Sequence, residues 1–202
     1  MKKLATLGLL LLSVSGAALA DARADLQKKL ATFERFSASF SQQVFDERGE
    51  PMQSAGGTME LSRPDRFRWH TQVPDESLIV SNGTDVWMYD PFVEQVTIVP
   101  LAEAVLNTPF LLIAGSDGHR WQQYDVSRQG DAYVVKSRNA AELIKEFSLT
   151  FDRQNRIERF VVIESGGQRS EFSLSEVDTS PTFQAGRFQF NPPSGVMIDD
   201  QR

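Results

Sequence analysis

The feature that most constrains this chain is the period of its apolar residues. From Phe36 onward apolar and polar residues alternate, as in "ASFSQQVF", in Phe147, Leu149 and Phe151 around Ser148 and Thr150, and in Phe172 and Leu174 among Glu171, Ser173 and Ser175. Successive residues of a strand point to opposite faces, so each such run has one apolar face and one wet face. Turn-forming segments separate the runs: "DERGE", "NGTD", "RQGD", "DRQNR" and "SGGQ". Each is short enough to join antiparallel neighbours. The strands expected between them include "SLIVS", "VWMYD", "EQVTIVP", "WQQYDVS", "AYVVKS", "EFSLTF", "IERFVVIE" and "RSEFSLSEV", with last pieces at "RFQFNPP" and "GVMI". The expectation is a mainly β protein with two or three short helices and roughly ten or eleven strands in one long, curled antiparallel sheet.

One apolar sheet face needs a cover. Two segments can supply it. Residues 22–35 place Ala22, Leu26, Leu30 and Phe33 at helical spacing between charged neighbours, which predicts an amphipathic helix. Residues 101–115, "LAEAVLNTPFLLIAG", offer Asn107 or Thr108 as a cap, Pro109 at a first helical position and Gly115 as a stop. A short helix carrying Phe110, Leu111, Leu112 and Ile113 in succession is apolar almost all round and must be covered on several sides.

The stretch "MELSRPDRFRWH", residues 59–70, sets a narrower problem. Met59, Leu61, Phe67 and Trp69 share one parity and Glu60, Ser62, Arg66, Arg68 and His70 the other, and Arg63 falls with the apolar set. An unpaired guanidinium against hydrocarbon costs several kcal/mol, so either Pro64 bends the chain and swings Arg63 outward or a polar partner waits for it.

The N-terminus has a different character. Lys2 and Lys3 precede the apolar run "LATLGLLLLSVSGA", and Ala18-Leu19-Ala20 fits a small-x-small cleavage site. This pattern predicts a secretory signal peptide at residues 1–20, followed by a single domain at 21–202. The chain has no cysteine, so its fold must stand on a hydrophobic core without disulfides. A lipid-modified product would also need a cysteine at its cleavage site, and the expectation is therefore a free, exported protein. Without Lys2 and Lys3 the net charge falls from −6 to −8, the wrong sign for a nucleic-acid binder.

Catalytic signatures are missing. The sequence holds no thiol, no HExxH, no GxSxG and no phosphate-binding glycine loop, and its two histidines, His70 and His119, are far apart. Paired carboxylates such as Asp199 with Asp200 are ordinary in an acidic chain. These features predict a non-enzyme with neither metal nor cofactor.

Taken together and in order, "RPDRFRWH", "PDESLIVSNGTDVWMYDPFVEQV", "NTPFLLIAG" and "NPPSGVMIDDQR" resemble the LolA family of periplasmic outer-membrane lipoprotein carriers along nearly all of the mature chain. The related receptor LolB is itself a lipoprotein with a cysteine, and the lack of one here favours the carrier. The resemblance implies an incomplete antiparallel β-barrel covered by a helical lid, with a cavity that holds the acyl chains of a lipoprotein. It implies a periplasmic monomer that receives cargo from the inner-membrane ABC transporter LolCDE and passes it to LolB. It also implies that Arg63 latches the lid segment "FLLIAG", and that Leu30, Phe67, Trp69, Phe110, Leu111 and Ile113 are among the lipid-binding walls. The competing reading is a periplasmic binding protein or lipocalin-like container for a free small lipid.

Overall fold

Alternation becomes one open sheet. The computed structural model describes residues 14–104, 109–115, 118–139 and 142–202, with the side chains of all but 14–20 and 109–111. Among them are β1 (Arg35–Phe45), β2 (Pro51–Ser62), β3 (Arg66–Val73), β4 (Ser77–Asn82), β5 (Asp85–Asp90) and β6 (Gln95–Pro100). The second half supplies β7 (Tyr124–Gln129), β8 (Ala132–Ser137), β9 (Ile144–Phe151), β10 (Ile157–Glu164), β11 (Arg169–Asp178) and β12 (Met197–Asp200). The twelve strands run in the order β12-β6-β5-β4-β3-β2-β1-β11-β10-β9-β8-β7. Neighbours pair antiparallel except β12, which lies parallel to β6. β7 and β12 are left as edges, so the barrel is incomplete.

The sheet curls hard around its apolar face. Trp69 in β3 and Phe160 in β10 are four strand spacings apart, about 19 Å on a flat sheet, yet their ring centroids lie 6.2 Å apart. Trp69 also meets Phe40 at 4.2 Å and Phe172 at 5.4 Å, and Phe160 stacks on Phe172 at 4.1 Å. Near the bend, the β2–β3 register shifts between Gly56 and Gly57. A Cβ on Gly57 would sit 1.9 Å from the His70 carbonyl oxygen, so this close approach of two backbones requires glycine.

The outer face is covered where the C-terminal segment crosses it. Tyr89 packs on Phe190 with centroids 5.5 Å apart, Phe183 meets Phe188 edge-on at 5.0 Å, and Arg187 forms a two-pronged bond to Glu60 at 2.6 Å for each contact. β12 then joins the sheet, and Arg202 ties the end of the chain to Asp85 and Asp200. "RFQFNPP" is therefore not a strand. Its alternating phenylalanines pack on a sheet face without pairing to it, and Pro192 and Pro193 lack the N–H groups a ladder needs.

Four other expectations change. Residues 59–70 are two strands joined by a turn at 63–65, and the shared parity survives because Met59 pairs with Trp69 and Leu61 with Phe67 directly across the hairpin. Trp121 to Gln123 belong to a 3-10 turn, Arg120–Gln123, and not to a strand. The first helix, α1 (Val14–Leu30), ends five residues before the expected limit because Arg35 already pairs in β1. Its backbone is helical on both sides of Ala20. The 101–115 segment contains α2 (Leu101–Ala104) and α3 (Pro109–Ala114), while the expected caps Asn107 and Thr108 lie outside the described residues.

Candidate functional site

The inner face is roofed by two unequal helices. α1 turns Ala22, Leu26 and Leu30 inward, and Leu26 is fully buried. Its polar side is tied down at intervals. Arg23 donates to the Tyr124 carbonyl at 2.5 Å, the Tyr133 hydroxyl donates to Asp25, and Lys29 donates to Asn155 Oδ1 at 2.5 Å. α3 buries Leu112, Ile113 and Ala114 but has no basic residue in its last turn. Its terminal carbonyls must find donors elsewhere.

Arg63 supplies them. Nη1 donates to the Gly115 carbonyl at 2.6 Å and Nη2 to that of Ile113 at 2.7 Å. The same guanidinium reaches the first helix, with Nη2 donating to the Leu30 carbonyl at 3.1 Å and Nε to that of Phe33 at 3.3 Å. Arg63 thus faces inward, and the outward swing at Pro64 does not occur. Desolvation lowers its pKa from the ordinary arginine value, against the smaller opposing influence of Asp65 and Glu34. An arginine keeps its charge despite such a shift, so the bonds stay charge-assisted.

The rest of the turn reinforces the joint. Asp65 adopts a left-handed conformation, φ 60°, which a short polar side chain tolerates. Its N–H donates to the Ala114 carbonyl at 3.3 Å, its carboxylate pairs with Arg120 at 2.8 Å, and its carbonyl accepts the Ser81 hydroxyl at 2.7 Å. The Arg63-Pro64-Asp65 turn thereby holds the chain on both sides of residues 116–117.

Below this joint a cavity of about 310 Å³ is lined by Gln27, Leu30, Glu34, Arg63, Ile113 and Trp121, among others. Of the residues expected to bind lipid, Leu30 and Ile113 line this cavity. Phe67 and Trp69, 0% and 9% exposed, belong instead to the aromatic cluster and are not on this lining. The Phe110 and Leu111 side chains lie outside the described residues. Sequence reasoning missed Trp121, which it placed in a strand, and the Asp65–Arg120 pair. The adjacent "RPD" gave a signal for Asp65, but nothing local marks Arg120 as its partner.

A curled open sheet with an apolar interior, roofed by one helix fastened along its length and one small helix fastened at its end, defines a class: an open β-container with a helical cover. The profile described as "Outer membrane lipoprotein carrier protein LolA" matches residues 31–191. The outer-membrane lipoprotein carrier protein of Aeromonas salmonicida (strain A449) is 54% identical, covering 100% of both chains, and that of Proteus mirabilis (strain HI4320) is 43% identical, again covering 100% of both. An uncharacterized conserved protein from Thermus thermophilus shares the fold, with a TM-score of 0.53 at 14% identity over 90% of this chain and 99% of the other. The chain belongs to the LolA family of outer-membrane lipoprotein carrier proteins. That family consists of carriers, not enzymes.

Proposed function

We propose that the protein is a periplasmic carrier that shields lipoprotein acyl chains beneath its helical cover and takes them from the inner-membrane complex LolCDE to the outer-membrane receptor LolB. Residues 1–20 are removed on export, and the mature carrier acts as a monomer. The observation that carries this reading is the set of four Arg63 hydrogen bonds to carbonyls at the ends of both covering segments.

In the closed form the cavity of about 310 Å³ is at the small end of ligand sites. Room for acyl chains comes from parting α3 from α1, which exposes Leu30, Ile113 and the aromatic wall around Phe67 and Trp69. Burying each methylene from water contributes about 0.8 kcal/mol. Several long chains would then exceed the ceiling of about 18 to 21 kcal/mol for noncovalent affinity. Cargo drawn from a membrane only exchanges one apolar surrounding for another, so the net gain is small. Reclosure of the latch, which only the empty form can make, then biases the equilibrium toward release.

The test loads the parent and Arg63→Leu with one purified lipoprotein, adds a soluble form of the receptor and follows the cargo. The variant is expected to load at least as well and to deliver more slowly and less completely. Equal delivery by the two proteins would refute the latch. Native mass measurement of carrier isolated from cells separates a bound lipoprotein from a bound free lipid, and only the former agrees with this function.

A further inference from the structure

A second, polar site lies on the outer face, beside the latch and away from the apolar interior. It is a cleft of about 500 Å³, walled on one side by the sheet and on the other by the turn at Phe183–Gln189. On the sheet side, Arg35 is directly opposite Ser62, Ser62 opposite Arg66, and Arg66 opposite Asn82. Directly opposed residues share a face, so β1 to β4 present a single row: guanidinium, hydroxyl, guanidinium, amide. Neighbours in such a row are about 5 Å apart, close enough for both arginine side chains to converge over Ser62.

These cations lack acidic partners among the described residues. Arg35 donates to the Pro181 carbonyl at 3.2 Å, and Arg66 only to that of Arg63 at 3.4 Å. Arg63 and Arg187 also line the cleft. Arg63 is bonded only to neutral carbonyls, whereas Arg187 is paired with Glu60. Glu34 is the one carboxylate on the lining. In a chain of net charge −6, this is a local concentration of unneutralised positive charge, with the amides of Gln184 and Gln189 opposite. Guanidinium groups offer forked donors that match the oxygens of a tetrahedral anion.

We infer that the row Arg35, Ser62, Arg66 and Asn82 is a binding site for a phosphate group, either free or on a lipid headgroup. The site is independent of acyl-chain carriage, and it would remain if that function were refuted. The full-length protein is titrated with inorganic phosphate at constant ionic strength while backbone amide shifts are followed by NMR. Saturable shifts are expected at Ser62, Arg66 and Asn82, and the double variant Arg35→Gln, Arg66→Gln should weaken the apparent affinity at least tenfold. Arg153→Gln, in the remote turn after β9, should leave it unchanged.

In a second arm the protein is sedimented with phosphatidylglycerol or phosphatidylcholine vesicles. A headgroup ligand predicts selective loss of the parent to phosphatidylglycerol, reversed by free phosphate and reduced at least fivefold in the double variant. Free phosphate as the ligand predicts the NMR shifts without sedimentation. Shifts that do not saturate, or equal affinity in parent and double variant with the variant's melting temperature unchanged, would overturn the site.

Discussion

The two covering helices differ in how they are held. α1 is seventeen residues long and is bonded through side chains spread along it: Arg23 to Tyr124, Asp25 to Tyr133 and Lys29 to Asn155. These partners all come from the β7–β10 half of the molecule. α3 is six residues long, and the polar bonds described above gather at its end, on one turn of the β2–β3 hairpin. Many dispersed ties fail one at a time, whereas a single joint fails at once. The contrast predicts that α3 loosens more readily than α1.

The strongest test of this contrast removes the joint. In Arg63→Leu, two charge-assisted bonds to the α3 end are lost, each contributing about 1.5 to 3 kcal/mol. Amide exchange across residues 109–115 should then accelerate about 100-fold or more, while residues 22–30 change less than about tenfold. Equal acceleration in both helices would erase the distinction.

A smaller effect is expected at the second fastening of the same turn. Arg120 and Asp65 are partly buried, 25% and 17% exposed in their side chains. Arg120→Gln should cost about 1 kcal/mol, and exchange at 109–115 should rise about fivefold. An increase matching that of Arg63→Leu would make the ion pair, not the arginine latch, the main restraint.

On the α1 side, Tyr133→Phe removes the hydroxyl that Asp25 accepts. The expected loss of about 1 kcal/mol lowers the melting temperature by about 2 to 4 °C, without faster exchange in α3. pH sharpens this test. Desolvation, the Asp25 bond and the Asp25 charge push the Tyr133 pKa up to about 12, with Arg128 opposing. Because the folded value lies above the unfolded one of about 10, this contribution is full below about pH 10 and is lost as pH rises toward about 12. The parent should lose stability in that window more steeply than Tyr133→Phe, as read by thermal melts at successive pH values. Lys29→Ala should have the least effect, within about 0.5 kcal/mol, since it cuts one tie among several near the surface. A larger fall would concentrate the holding of α1 at one point as well.

How much of this could be read in the sequence depends on the range of each interaction. The alternation at Phe147 to Phe151 and the Pro109 to Gly115 punctuation are written locally, and the strand and the short helix they predict are both present, whereas the limits of the first helix and of the strand at Trp121 shift. The parity of Arg63 is also local, and it marks the residue as one in need of a partner, but the lid as that partner comes from the family resemblance. What escaped is non-local or imitates another pattern. Phe188 and Phe190 alternate like strand residues but serve as packing groups, and the Arg120 partner of Asp65 lies 55 residues away with no spacing rule to join them. The outer row of Arg35, Ser62, Arg66 and Asn82 exists only through the registers of three strand pairs, none of which a single strand specifies.

One property of the latch reaches beyond this chain's own cargo. All four acceptors of Arg63 are main-chain oxygens, at Leu30, Phe33, Ile113 and Gly115, and every residue type has that group. The fastener is therefore blind to side-chain identity in the cover. Mutation that reshapes the cover leaves these acceptors in place, so a library randomised at Phe110, Leu111 and Ile113 is expected to keep the Arg63 bonds whatever side chains it carries.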